Sequence, residues 1–274
     1  MFSFIFYLFI FLLGSTIGSF LGVLAERLPR EKTIRGRSEC DYCGAVLKWF
    51  DLIPIFSFLF LGGKCRRCEK KISPYHLWVE IITGLAFLAV AFYLFPYPLL
   101  GIDLQIIGQF LFWLFLASCF IAIFFADLKF YIIPDEIIIA GIAGSLAYWI
   151  WLAFGSGFSL ISIEAWRGLL FSLLAAVLAG GFFFSLNYFS RGRWMGMGDA
   201  KLALFLGLAL GWPNILIALF ISFLSGSIIG LGLVFFGRAS MKSQVPFGVF
   251  LTASSFACLF WGEKIADWYL SFFR

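Results

Sequence analysis

Residues 105–126 read QIIGQFLFWLFLASCFIAIFFA, a run of 22 residues without a single charged side chain, and Asp127 follows it directly. Wound as an α-helix, a run of this length extends about 33 Å, which matches the thickness of the hydrocarbon core of a bilayer. The stretch therefore predicts a membrane-spanning helix that ends on a carboxylate.

The composition of the whole chain also indicates a membrane protein. Of its 274 residues, 62% are hydrophobic and 13% are charged, and the mean hydropathy is +1.01. A soluble domain has about a quarter charged residues. Apolar runs recur along the whole chain, so we interpret the N-terminal run as a span rather than a signal peptide. We predict an all-α polytopic membrane protein with about eight transmembrane helices, the sixth of them short, near residues 4–25, 77–97, 105–126, 132–154, 168–189, 200–212, 214–236 and 245–270.

The basic residues predict the orientation. Eleven of the 20 Lys and Arg residues lie between Arg27 and Lys71, inside the long polar segment 26–76. Cytoplasmic loops of membrane proteins are enriched in Lys and Arg, so we place this loop in the cytoplasm and do not interpret its charge as a nucleic-acid surface. Alternation from this loop predicts cytoplasmic turns near 127–131, 190–199 and 237–244 and external turns near 97–104, 155–167 and 212–214.

The polar segment contains two Cys-x-x-Cys pairs, Cys40–Cys43 and Cys65–Cys68. Four thiolates in this pattern are typical of a structural zinc site, with a slightly long spacer of 21 residues here. Two disulfides, or four free thiols, remain the alternatives. The predicted domains are a first transmembrane helix at 1–25, a small zinc-binding cytoplasmic domain at 26–76 and a larger transmembrane domain at 77–274.

Two carboxylates stand out among the acids near the apolar segments. Asp127 ends a strongly apolar run, and Asp199 follows Gly196-Met197-Gly198 and opens the next apolar helix. The topology places both on the cytoplasmic side. Two carboxylates that meet cannot both ionise readily, so one can act as a base toward water and the other as an acid toward the leaving group. An ordinary helix-capping role for Asp199 is the structural alternative.

Several ordered segments together carry a family resemblance. They are GSFLGVLAERLP at 18–29, RSECDYC at 37–43, WFDLIP at 49–54, CRRC at 65–68, DLKFYIIPD at 127–135, GMGDAK at 196–201 and VPFGVFL at 245–251. These segments resemble the prepilin peptidase family, the type 4 prepilin leader peptidases and N-methyltransferases with a Gly-x-Gly-Asp aspartyl peptidase motif. The resemblance covers nearly the whole chain.

The resemblance implies a function and makes the transmembrane domain at 77–274 an aspartyl peptidase domain. We expect Asp127 and Asp199 to be catalytic, and the substrates to be type 4 prepilin-like or pseudopilin precursors cut at the cytoplasmic face of the bacterial inner membrane. The family often methylates the new N-terminal amine with S-adenosylmethionine. The chain departs from the family pattern at Gly22, where an Asn is expected, and at Val249, where a Pro is expected. It also lacks a glycine-rich Rossmann-type fingerprint, so the residues that would bind this cofactor are not predicted.

Supporting roles are expected for four residues. Gly196 and Gly198 allow close approach of the backbone, and Lys201 could hold a carboxylate ionised or be ordinary cytoplasmic charge. Glu80 could accept a hydrogen bond from the substrate's N-terminal ammonium or support a helix contact. Two other functions are weighed against the peptidase: a proton- or ion-coupled transporter, since intramembrane acids also build proton relays, and a non-catalytic zinc-loop scaffold of a secretion assembly.

Overall fold

The structure, a computed structural model, describes residues 2–96, 103–154, 163–238 and 244–272. The turns predicted at 97–104, 155–167 and 237–244 lie partly outside these residues. The described chain is helical, and its longer helices confirm the all-α membrane fold. The helices are α1 (Phe2–Arg27), α2 (Phe56–Phe60), α3 (Tyr75–Leu94), α4 (Leu104–Phe130), α5 (Asp135–Phe154), α6 (Ile163–Ser190), α7 (Met197–Leu210), α8 (Asn214–Phe235) and α9 (Phe247–Ser271).

Seven of the described helices are long and apolar enough to cross a bilayer, namely all except α2 and α7. The sequence predicts about eight spans, and the short sixth segment corresponds to α7. With 14 residues, α7 extends about 21 Å, less than the hydrocarbon core. Its end coincides with Gly211, whose φ of +69° is in the left-handed region that terminates helices.

The chain forms two compact units, Met1–Phe125 and Ala126–Arg274. In the first unit, α1 and α3 pack against each other along a stripe of glycines spaced four residues apart. A Cβ atom at Gly14 would lie 2.9 Å from the Cα of Gly84, and one at Gly18 would lie 2.8 Å from the Cα of Glu80. Such small residues let two helix backbones approach closely inside a bilayer. The paired positions run in opposite directions, so α1 and α3 are antiparallel.

The second unit contains two further antiparallel helix pairs. A Cβ atom at Gly207 of α7 would lie 2.5 Å from the Cα of Ala176, and one at Gly180 of α6 would lie 2.8 Å from the Cβ of Leu204. Helix α8 pairs in the same way with α9, and the Ser222 side chain contacts Ser254 and the carbonyl of Phe250. Small and hydroxyl side chains at these contacts supply packing and hydrogen bonds where lipid offers neither.

Candidate active site and metal centre

Asp127 lies three residues before the end of α4 and is 5% exposed. Its Oδ2 accepts a hydrogen bond from the backbone N–H of Val249 at 3.1 Å, and the N–H of Gly248 also donates to this carboxylate. Both donors belong to the first turn of α9, where N–H groups have no partner within the helix. The start of α9 therefore fixes the position of the Asp127 carboxylate.

Asp199 lies in the first turn of α7, which begins directly after Gly196. The N–H of Gly196 donates to Asp199 Oδ2 at 3.2 Å, so this carboxylate also caps its own helix. Burial raises the pKa of Asp199 to about 6, and the negative charge of Asp127 acts in the same direction, against the lowering effect of the Gly196 hydrogen bond. Asp199 therefore caps its own helix and is at the same time a candidate catalytic carboxylate.

Ile133 brings the two aspartate segments together. Its side chain is close to both Gly198 and Gly248: a Cβ atom at Gly198 would lie 3.4 Å from Ile133 Cβ, and one at Gly248 would lie 3.1 Å from Ile133 Cδ1. Gly198 directly precedes Asp199, and Gly248 donates to Asp127. The first turns of α7 and α9, together with the Asp127 carboxylate that α9 holds, consequently meet around one isoleucine.

Lys201 does not pair with either of these aspartates in the structure. Its Nζ donates to both carboxylate oxygens of Asp135, at 2.9 and 2.7 Å. Asp135 begins α5, as the sequence predicts, and Lys201 lies two residues after Asp199 in α7. The ion pair is exposed, and it joins the segment that follows Asp127 to the helix that carries Asp199.

The two Cys-x-x-Cys segments fold into turns of the same shape. In the first, Cys40 N donates to Ala45 O and Gly44 N donates to Cys40 O. In the second, the donors at the equivalent positions, 25 residues later, are Cys65 N and Glu69 N. Gly44 has a φ of +64°, and Glu69 occupies the matching left-handed position with a φ of +56°. The pattern of a zinc knuckle is therefore present twice.

The four sulfur atoms form one cluster. The Sγ atoms of Cys40, Cys43, Cys65 and Cys68 all lie within 4.8 Å of one another, and all four cysteines are free of disulfides. A tetrahedral zinc ion with Zn–S bonds of about 2.3 Å requires sulfur separations of about 3.8 Å, and the Cys40–Cys68 distance is 3.9 Å. Hydrogen bonds from the backbone N–H groups of Cys68 and Arg67 lower the pKa of Cys65 to about 6. The donor set fits zinc and argues against the two-disulfide alternative.

Glu80 is 7% exposed and lies in the second turn of α3. Its Oε2 accepts a hydrogen bond from the N–H of Ile55 at 2.7 Å, and the side chain of Ser19 donates to the same carboxylate. Ile55 has a φ of +62°, which is unfavourable for a β-branched residue. The Glu80 carboxylate on α3 therefore accepts a hydrogen bond from the strained residue that precedes α2.

The sequence of the 245–251 segment predicted no role for its individual residues. The structure shows that Gly248 and Val249 hold Asp127 through backbone N–H groups and that Ile133 fills the space between the aspartate segments. The Pro246-Phe247-Gly248 helix start was the available signal, because a proline and a glycine at a helix N-terminus leave its N–H groups accessible.

Comparison with known proteins identifies related sequences along nearly the whole chain. Residues 12–94 match the family described as bacterial peptidase A24 N-terminal domain, and residues 114–231 match the type IV leader peptidase family. Among the relatives, the prepilin leader peptidase/N-methyltransferase of Aeromonas hydrophila is 30% identical over 96% of this chain and 93% of its own length. Proteins of the same description from Legionella pneumophila and Bacillus subtilis (strain 168) are each 29% identical, over 97% and 95% of this chain and 95% and 96% of their own lengths. No solved structure matches the chain.

Proposed function

Because the chain belongs to the type IV leader peptidase family, and is thus a bacterial multi-pass membrane peptidase, we propose that Asp127 and Asp199 are its catalytic pair. The observation that carries this proposal is geometric: the segments that bear or hold the two carboxylates pack against the same side chain, Ile133. The negative charge of Asp127 also contributes to the raised pKa of Asp199. Pairs of acids whose environments differ in this way divide the roles of acid and base.

The chemistry follows from the two environments. Asp127 accepts two backbone N–H groups, so its carboxylate is oriented to take a proton from water as the water oxygen attacks the scissile carbonyl carbon. Asp199, whose pKa is raised to about 6, is protonated more readily than an ordinary aspartate and acts as the acid. It donates that proton to the departing amide nitrogen as the carbon–nitrogen bond breaks. No covalent intermediate with the enzyme is needed.

The substrate class follows from the relatives, which are named prepilin leader peptidases. We propose that the chain removes the leader of type 4 prepilin-like or pseudopilin precursors in the bacterial inner membrane. The 11 basic residues between Arg27 and Lys71 support a cytoplasmic position for the segment 26–76. Asp127 near the end of α4 and Asp199 at the start of α7 would then act at the cytoplasmic membrane boundary.

The four cysteines would hold a structural zinc ion. The segment that contains them has a 3₁₀ turn at Trp49–Leu52 and the five-residue helix α2. So small a segment gains most of its folding free energy from the metal. Loss of zinc should therefore unfold the segment and leave the transmembrane helices in place.

The relatives are also named N-methyltransferases, and we include methylation of the new N-terminal amine in the proposed function. S-adenosylmethionine, when bound, supplies a methyl group on a sulfonium. The amine lone pair forms the carbon–nitrogen bond while the carbon–sulfur pair leaves with sulfur, and the surplus amine proton passes to solvent.

The direct test is a reconstituted cleavage assay. The purified chain and a prepilin are incorporated into the same liposomes, and the wild type is compared with Asp127→Asn, Asp199→Asn and the control Asp267→Asn, an exposed acid on α9. We expect cleavage to fall about 10²- to 10⁴-fold in the first two variants, as removal of a general acid or base predicts, and to be unchanged in the control.

Each competing function gives a different result. Cleavage at the wild-type rate by Asp127→Asn or Asp199→Asn would rule out the paired-carboxylate mechanism. A transporter would dissipate a proton gradient in liposomes that lack prepilin. A scaffold would leave the prepilin intact even with the wild-type chain. Mass measurement of the mature N-terminus, with and without S-adenosylmethionine, tests methylation.

A further inference from the structure

The segment between α1 and α3 carries an apolar surface that the remainder of the segment leaves uncovered. Residues 52–63, LIPIFSFLFLGG, form a run of 12 without a charged side chain, which is too short to cross a bilayer. Within this run, Phe56, Leu59 and Phe60 share one face of α2 and are 50%, 63% and 87% exposed. Trp49, just before the run, is 78% exposed. Large apolar side chains that are exposed together mark a surface that binds a partner or a membrane.

The opposite side of α2 is occupied by protein contacts. Ser57, Phe58 and Leu61 line a cavity whose other walls include residues of α1 and α3. Phe58 also packs against Gly63, where an added Cβ atom would lie 2.9 Å from the end of the phenyl ring. The inward side chains therefore fix the rotation of α2 about its axis, and the apolar face with Phe56, Leu59 and Phe60 points away from the protein.

A hydrogen bond sets the level of α2 along the transmembrane helices. The N–H of Ile55, which directly precedes α2, donates to Glu80 at 2.7 Å. Glu80 lies five residues into α3, about 7.5 Å along the axis of a helix that is long and apolar enough to cross a bilayer. Trp78, which is 55% exposed, precedes Glu80 on this helix, and tryptophan is typical of the membrane–water interface. The start of α2 is therefore held beside the first two turns of α3, at the membrane boundary.

Basic side chains border the apolar run. Between residues 48 and 71 the chain has six Lys and Arg residues and two acids, Asp51 and Glu69. Asp51 accepts from Arg66 at 2.9 Å, and its side chain is 8% exposed, so it presents little negative charge at the surface. Lys48 and Lys64, on either side of the run, are exposed. An apolar helix face bordered by Lys and Arg is typical of segments that lie in the surface of an anionic membrane.

We propose that residues 49–60 form an interfacial membrane anchor for the zinc segment. The outward face of α2 enters the leaflet beside α1 and α3, and the bordering Lys and Arg side chains meet anionic phospholipid headgroups. The segment that holds the metal centre is then fixed to the bilayer by an apolar surface as well as by its two chain connections. A soluble partner is disfavoured because this surface continues the lipid-facing surface of the adjoining helices. This placement holds whether or not Asp127 and Asp199 are the catalytic pair.

The test measures contact with lipid in the full-length, zinc-loaded protein. The photoreactive residue p-benzoylphenylalanine replaces Phe60 or Leu59, and the protein is reconstituted in liposomes of equal parts phosphatidylethanolamine and phosphatidylglycerol, irradiated and analysed by mass spectrometry. Two exposed aromatic positions are the controls: Phe9 in the transmembrane helix α1, 60% exposed, and Tyr42 in the first cysteine turn, 61% exposed. We expect phospholipid adducts at Phe60 and Leu59 with yields within about threefold of the yield at Phe9, and a yield on the order of tenfold lower at Tyr42, because only the first three would touch acyl chains.

Phe60 and Leu59 are both exposed, so neither replacement removes a buried side chain. Zinc content is measured on every variant, so that a misfolded variant is recognised and the other position then decides. Adduct yields at Phe60 and Leu59 as low as the yield at Tyr42, with a high yield at Phe9, would overturn the proposal. Replacement of the lipid adducts by prepilin adducts when a prepilin is added would also overturn it, because the surface would then bind the hydrophobic helix of the substrate.

Discussion

Replacement of Gly248 by alanine adds one methyl group beside Asp127 and should slow cleavage. The added Cβ would lie 2.8 Å from Asp127 Oδ2, 3.2 Å from its Cγ and 3.1 Å from Ile133 Cδ1. Ordinary contacts begin at 3.4 Å, so the carboxylate must move by about 0.6 Å or more. The 3.1 Å hydrogen bond from Val249 N–H would lengthen or break. A hydrogen bond to a charged group contributes about 1.5–3 kcal/mol, and displacement of a catalytic group by about 1 Å can lower a rate about 10²-fold.

We therefore expect kcat of Gly248→Ala to fall about 10- to 100-fold with little change in KM, measured with the reconstituted prepilin assay. Two other glycines provide a graded series. Alanine at Gly198 would meet Ile133 at 3.4 Å, and alanine at Gly230 of α8 would meet nothing within 4 Å. The loss of activity should be largest at Gly248, small at Gly198 and absent at Gly230. Wild-type activity in Gly248→Ala, with the melting temperature unchanged, would refute the assignment of the α9 N-terminus as the group that positions Asp127.

Three further predictions concern titration, backbone strain and an ion pair. Since the pKa of Asp199 is about 6 in the folded protein against 3.8 ordinarily, its contribution to stability is full below about 3.8 and is lost as pH rises through about 6. Thermal unfolding in detergent should therefore show that the stability of Asp199→Asn relative to the wild type increases by on the order of 1–3 kcal/mol between pH 4 and pH 7.5. A difference that does not change with pH would contradict the raised pKa of Asp199. Glu69→Gly should stabilise the zinc-bound segment by about 1 kcal/mol, because the matching position is Gly44, and this should appear as tighter zinc binding or a higher melting temperature; a loss of stability would contradict the equivalence of the two knuckles. Lys201→Met, Asp135→Asn and their double variant should show equal cleavage rates within about twofold and lose less than about 1 kcal/mol of stability, and additive losses would show that the two residues act separately.

The membrane fold was predictable because it depends on composition along the chain. In lipid, an apolar run of about 20 residues can satisfy its backbone hydrogen bonds within one segment only as a helix, wherever the other helices lie. The predicted segment 105–126 lies inside α4, and the predicted start at Asp135 is the start of α5. The sixth predicted span was the exception, since a length of 14 residues leaves α7 below the usual requirement.

The metal centre was predictable for a similar reason. Two residues between the cysteines of each pair are enough to bring both thiols to one ion, and this is local geometry. What the spacing leaves open is whether the two pairs meet. In the structure, Cys40 and Cys68 bring their sulfurs to 3.9 Å, and the equal hydrogen-bond patterns of the two turns become visible only there.

The sequence by itself determined the membrane class, the two Cys-x-x-Cys pairs and the two aspartates that end and begin apolar helices. The tertiary structure decided which groups surround Asp127. The N–H groups of Gly248 and Val249 follow it by more than 120 residues, and Ile133 contacts glycines from two other helices. Lys201 was expected near a carboxylate, and packing selected Asp135. The physical reason is that composition and spacing act along the chain, whereas backbone hydrogen bonds and close glycine contacts depend on which helix ends meet.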